Sequence, residues 1–152
     1  MQSRLRHLVA PVVAGAVIAL LVTGCSSFNS DFKAQSVSYV SAYDIKGPWE
    51  GTWRSEVSQH HGELRCLVTA RADGKYDARF QAKFWKHLSF RYTAVLEAQK
   101  SGESWKFQGQ SDLGKLAGGV FRYDGEVTPA HFFSKYESKK DHGIFEMKRP
   151  TP

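Results

Sequence analysis

The residues of this chain whose types could do chemistry are two cysteines, six histidines and a dense set of aromatic rings. Spacing narrows what they can do. His60 and His61 are adjacent, and neighbouring residues of a strand point to opposite faces, so in a strand they cannot share a metal ion; only a loop would allow it. No Cys/His set with metal-ligand spacing lies nearby. Serine, histidine and aspartate occur without Gly-x-Ser-x-Gly, His-Glu-x-x-His or a phosphate loop to pair them, so the sequence points to no enzyme, no metal and no cofactor. Cys66 sits in Leu64-Arg65-Cys66-Leu67-Val68, an apolar setting that fits a buried small hydrophobe better than a reactive thiol, which needs exposure and a cationic neighbour. That leaves the aromatic rings, whose chemistry is the burial of other apolar surface.

The N-terminus says where these rings are delivered. Met1 to His7 carries Arg4 and Arg6 and no acid, and Leu8 to Val22 is a run of 15 residues without a charge. Small residues follow, ending at Gly24. This is the order of a secretory signal, in which the basic end stays cytoplasmic while the apolar run enters the membrane. Pro11, Gly15 and the shortness of the run argue against a permanent span, which takes about 20 apolar residues. Val22-Thr23-Gly24-Cys25 resembles the bacterial lipobox: an aliphatic residue, two small residues and an obligatory cysteine. The resemblance implies that residues 1–24 are a lipoprotein signal peptide, that the Cys25 sulfur receives a diacylglyceryl group, and that the new amine is often acylated, as with palmitate. Ser26, rather than aspartate, follows the cysteine; by the same resemblance this directs the protein to the outer membrane, lipid-anchored at its periplasmic face. Two or three acyl chains hold stably where one holds marginally, at roughly 0.8 kcal/mol per buried methylene. With Cys25 lipidated, Cys66 has no partner for an internal disulfide.

Cutting before Cys25 leaves 128 residues, enough for one domain with one core. They keep 19 of the 21 basic residues and all 15 acids, a formal charge of +4. So mild a charge suits solubility and anionic headgroups alike; with no arginine-rich arm it points away from nucleic acid. Residues 25–46 read as a lipid-anchored, serine-rich tether, flexible from Ser26 to about Gln35, with Val37 to Ile45 docking on the domain or forming a short helix.

From Gly47 to Pro150 the pattern is repeated alternation with turn signals every 10 to 14 residues. Lys75 to Trp85 is the clearest case: Tyr76, Ala78, Phe80, Ala82 and Phe84 share one face, and Asp77, Arg79, Gln81 and Lys83 the other. Asp73-Gly74 is a strong hairpin turn, Lys86-His87 a tight connection, and Ser111 to Gly119 a glycine-rich loop. The count predicts eight strands, all β, with connections short enough for antiparallel hairpins. The simplest arrangement is an up-and-down barrel, whose closure removes exposed edges; a curved open sheet or a two-sheet sandwich competes. Outward from the middle strands, Arg79, Lys83, Arg91 and Lys106 form either a basic stripe or a solvated face with unlike charges such as Asp77 and Glu97.

Gly47-Pro48-Trp49 resembles the Gly-x-Trp start of the lipocalins and wider calycins, and Gly51-Thr52-Trp53 repeats the spacing. The resemblance implies a calycin-like barrel in which Trp49 and Trp53 are structural and Arg149, on the last strand, stands over the first-strand tryptophan. The usual lipocalin disulfide and C-terminal helix are missing from the sequence.

The interior content is aromatic: Phe80 and Phe84 on the third strand, Phe90 and Tyr92 on the fourth, Trp105 and Phe107 on the fifth, Phe121 and Tyr123 on the sixth, and Tyr136 on the seventh. An eight-stranded barrel is just wide enough to be filled by side chains or to hold one small ligand. Two readings follow. In the first, an apolar or amphipathic small molecule sits among these rings and enters past Ser111–Gly119. In the second, a structural lipoprotein with a filled barrel meets an envelope protein on its surface. Mass spectrometry of the mature N-terminus tests the placement common to both: a diacylglyceryl-modified Cys25 is expected, and an uncut Met1 or an unmodified Cys25 contradicts it.

Overall fold

The computed structural model describes residues 23–38, 44–84 and 88–151, and within its N-terminal helix the side chains of 27–37. The expected signal peptide before Thr23, the side chain of Cys25 and the Lys86-His87 turn lie outside the described residues.

The alternating stretches form eight strands: β1 (Gly47–Ser55), β2 (His61–Ala70), β3 (Tyr76–Phe84), β4 (Leu88–Ser101), β5 (Ser104–Asp112), β6 (Val120–Val127), β7 (His131–Glu137) and β8 (His142–Lys148). Each pairs antiparallel with the next, and β8 returns to β1, so the sheet is a closed up-and-down barrel compatible with a calycin-like fold. The open-sheet and sandwich alternatives fall away. Register explains the core. Trp49 lies across from Cys66, Cys66 across from Phe80, and Phe80 across from Tyr92. Directly opposed residues share a face, and this row faces inward, with Trp49, Cys66 and Phe80 buried. The next row, Glu50, Arg65, Gln81 and Arg91, faces outward. The outward cations do not make a bare stripe: Lys83 Nζ meets Glu63 at 2.6 Å, and Lys106 stands opposite Glu126.

One end of the barrel is closed by the chain itself. Ile45, just before β1, is fully buried, and its carbonyl accepts the Trp49 indole N–H at 3.0 Å. The guanidinium of Arg149, one residue past β8, lies 3.5 Å from the centre of the Trp49 ring. It donates to the carbonyls of Lys46 (2.9 Å), Pro48 (3.1 Å) and Asp44. The expected basic residue over the first-strand tryptophan is therefore present, and it ties the end of the last strand to the start of the first.

The stretch expected to be a flexible tether is different. Thr23–Ser38 is an α-helix, α1. Serines weaken helices because their hydroxyls compete for backbone groups. Here Ser36 Oγ donates to the Phe32 carbonyl at 2.7 Å and Ser30 Oγ to the Ser27 carbonyl at 3.1 Å, so those hydroxyls bond within the helix. The compact unit that carries the barrel begins at Phe32, whose buried ring lies 5.4 Å beneath the Arg65 guanidinium.

Arg149→Ala removes the stack and the charge-assisted hydrogen bonds together and is expected to lower stability by about 2–4 kcal/mol in urea unfolding. Arg149→Lys is expected to recover less than half of that loss, because an ammonium lacks the planar fork.

Candidate functional site

The opposite end of the barrel is open. Here β3 runs into β4, β5 into β6 through residues 113–119, and β7 into β8 through residues 138–141. Between these connections lies a pocket of about 600 Å³, inside the range of about 300–1,000 Å³ usual for small-molecule sites. Its walls are apolar: Phe84 and Phe90 from the β3–β4 side, Leu113 and Leu116 from the β5–β6 loop, and Phe121 and Phe145 from β6 and β8.

The floor is a cluster of rings. Phe80 packs beside both Tyr92 (5.1 Å between centroids) and Tyr123 (6.1 Å), which are nearly parallel to it and 6.4 Å from each other, with Phe145 at 5.5 Å. Three tyrosines bring hydroxyls to this apolar site, and each hydroxyl is partnered. Tyr123 shares a 2.8 Å hydrogen bond with Ser111 Oγ and another bond with Tyr92. Tyr136 OH donates to Asp141 Oδ2 at 3.1 Å. Burial pushes the Tyr92 hydroxyl well above the usual tyrosine range, with Tyr123 adding to the effect. Burial raises Tyr123 too, against the pull of its bonds to Ser111 and Tyr92. Tyr136 is raised by burial and then by the negative charge of Asp141.

Asp141 also anchors the rim. Its Oδ1 accepts from Ser55 Oγ at 2.6 Å, and Ser55, fully buried, accepts from the Ser58 amide at 3.0 Å. The Glu56 amide donates to the His142 carbonyl at 2.8 Å. These bonds join the β1–β2 turn to the β7–β8 turn. The hydroxyls of Ser55 and Tyr136 both meet the Asp141 carboxylate, with both of its oxygens engaged, so the carboxylate ties the rim together. By contrast, the β5–β6 loop is bonded to itself: the Leu113 amide donates to the Gly119 carbonyl (3.0 Å) and the Gly119 amide to the Gly114 carbonyl (2.8 Å). Its Lys115–Ala117 segment is a short 3-10 turn.

The structure brings most of the expected interior residues together here. Phe84, Phe90, Tyr92, Phe121, Tyr123 and Tyr136 line the pocket, and Phe80 supports it from below. Two expected members lie elsewhere. Phe107 packs on Phe132 (5.0 Å), which packs on Trp49 (5.7 Å) at the closed end. Trp105 stands against Tyr76 (6.0 Å) with Lys100 over its ring. Both belong to the filled half, because β5 starts at the closed end and only its last residues reach the mouth. Trp53, expected to be structural, is also a pocket wall: its ring lies 4.5 Å from Phe84, and its N–H donates to the Lys83 carbonyl at 3.0 Å. Cys66 is buried in the core, and burial raises its thiol pKa, as expected of a structural cysteine. Sequence reasoning missed the Ser55–Asp141 bond, since nothing local marks a pair 86 residues apart.

The tyrosines make the mouth sensitive to alkali. A group whose folded pKa is raised stabilises the fold below its unfolded pKa, and that stability is lost as pH rises through the folded value. Unfolded tyrosine titrates near about 10, so stability is expected to fall from about there upward. Tyrosinate absorbance from Tyr92, Tyr123 and Tyr136 should appear together with the loss of near-ultraviolet circular dichroism; ionisation of all three in a still-folded protein at pH about 10 would contradict this.

In comparisons with known protein families, curated proteins and solved structures, nothing matches this chain.

Proposed function

We propose that this protein is a lipid-anchored lipoprotein of the cell envelope, held at the periplasmic face of the outer membrane through Cys25, whose barrel binds an apolar or amphipathic small molecule at its open end. The observation that carries this reading is the pocket: about 600 Å³ walled by Phe84, Phe90, Phe121 and Phe145 and floored by the Phe80–Tyr92–Tyr123 cluster. A ligand that buries about 200 Å² of apolar surface there gains about 5 kcal/mol at 25 cal/mol/Å². The tyrosine hydroxyls are partnered among themselves and with Ser111 and Asp141, so an apolar body can lie against them without stranding a polar group. The polar end of an amphipathic ligand would sit at the rim, where Lys140 and Asp141 line the opening. The ligand passes the Leu113–Gly119 loop, whose hydrogen bonds run within itself. No catalytic step and no cofactor enters this reading.

The second reading, a filled barrel with an envelope protein on its surface, draws on the closed end, where Trp49, Phe132 and Phe107 interlock. It leaves the open half without a purpose.

An alkyl diazirine photoprobe, applied to the full-length protein in vesicles, distinguishes the two. Adducts are expected on Tyr92, Phe121 and Phe145, inside the pocket. Ala82→Trp, which places an indole at the wall, should lower this labelling about tenfold, equivalent to about 1.4 kcal/mol; Leu88→Glu, at an exposed wall position, should act in the same direction without disturbing the core. Adducts confined to the outer barrel face, or labelling indifferent to both substitutions, would favour the filled barrel.

A further inference from the structure

The rim of the mouth carries more apolar surface than its walls require. Leu116 is fully exposed, Leu88 is 60% exposed, and Phe84 and Phe90 are 40% and 37% exposed. All four border the one opening, so they form a continuous patch and not scattered surface residues. Such a patch with a polar border marks an interaction surface. The border here is cationic. Lys115, Lys139 and Lys140 are exposed and line a groove of about 820 Å³ that runs from the β5–β6 loop to the β7–β8 turn, and Lys140 borders both groove and pocket. Carboxylates on the same loops are engaged: Asp141 accepts from Ser55 and Tyr136, and Asp112 from the Gly114 amide at 2.9 Å. Glu137, also in the groove, stands across from Arg122 in the β6–β7 register.

We propose that this end of the barrel docks on the surface of an anionic phospholipid bilayer, with Leu116, Leu88 and the two phenylalanines at the acyl boundary and the three lysines among the headgroup phosphates. The pairing of apolar tips with flanking lysines is what an interfacial anchor needs: apolar burial supplies depth, and each lysine lays its stem on the apolar layer while its ammonium meets phosphate. An apolar partner surface would be served by the patch alone and gives the lysines nothing to pair with, whereas an anionic bilayer engages both. The chain enters β1 through Asp44–Gly47 at the opposite end, so that connection does not cross the mouth. Docked this way, the pocket opens onto acyl chains, and an amphipathic molecule passes between bilayer and barrel without crossing water. The docking does not depend on which ligand the pocket takes.

The test uses the full-length protein reconstituted into phosphatidylcholine vesicles with or without phosphatidylglycerol. An environment-sensitive fluorophore is attached through Ala117→Cys, beside Leu116, or through Glu103→Cys, exposed in the β4–β5 turn at the closed end, and nitroxide-labelled lipid is the quencher; labelling of the parent protein sets the background. In phosphatidylglycerol vesicles, quenching at 117 should exceed that at 103 by about threefold or more. K115E/K139E/K140E should lower the docked-to-free ratio by about fivefold for each lysine replaced. Leu116→Ser, a single change at a fully exposed side chain, should lower it as well. Equal quenching at the two positions, no quenching at 117, or the same quenching in neutral vesicles overturns the proposal. So does a spectral shift at 117 that grows with protein density and needs no lipid, since that marks contact between copies.

Discussion

Closure of β1 against β8 is the constraint on which the barrel depends. Every other strand pair is joined by a short connection that keeps its partners close; this pair is separated by almost the whole domain and has no such help. Three features make the contact specific. Arg149 stacks on Trp49 and bonds the carbonyls leading into β1, so the end of the chain is fastened to the start of the sheet. Along the seam, the backbones come so near that only glycine fits. A methyl group on Gly51 would overlap the Glu146 carbonyl and lie 2.7 Å from the Met147 Cα; one on Gly143 would overlap the Arg54 carbonyl and lie 2.8 Å from the Tyr136 hydroxyl. At the far end of the seam, the Ser55–Asp141 bond holds the two turns together. With the seam fastened at both ends, the sheet has no free edge to pair with another chain.

Along the barrel axis the interior falls into unlike halves. At the closed end, large rings interlock and Ile45 is pressed in as a plug. Toward the mouth, Ala82 on β3 and Ser111 on β5 are small inward residues among the rings. Small residues on the wall, with aromatic rings turned across the barrel at the level of Phe80, Tyr92 and Tyr123, produce a floor with space above it. An eight-stranded barrel has room for a solid core or for one ligand; this one is solid for part of its length and open for the rest.

Alternation made the fold legible. Period-two patterning in stretches such as Tyr76–Phe84 sets both the strand and its inward face, and turn residues such as Asp73-Gly74 set the antiparallel order. The Arg149–Trp49 contact was legible only through the calycin resemblance, because no spacing rule connects residues a hundred positions apart. Most of the site was legible as a composition, a set of inward aromatics, but not as a place. Which end of each strand meets the mouth depends on direction and register, and this is why Trp105 and Phe107 appeared among the candidates while Trp53 did not. The N-terminal stretch misled for a different reason. Serine content argues for flexible chain, yet the stretch is helical and the Phe32 ring is buried beneath Arg65, a tertiary contact that does not show in composition.

The choice between a ligand-holding and a filled barrel turns on how the inward face ends. At the closed end it stops abruptly: Ile45 covers it, and the Arg149 guanidinium and main-chain carbonyls form a polar cap above. At the mouth there is no such stop. The inward face of β3 continues from Ala82 to Phe84, and that of β4 from Tyr92 through Phe90 to Leu88, which stands directly across from Phe84 in the register. The apolar surface thus runs unbroken from the tyrosine floor to exposed side chains on the lip. A barrel whose interior served only stability would gain by ending that face in polar residues, because exposed Leu88 and Leu116 add little to the core and invite association. Since the closed end and the seam supply the closure, the mouth is free to carry a surface that stability does not require. Continuity of that surface with the pocket is the observation that supports the proposed ligand-binding reading over a filled barrel.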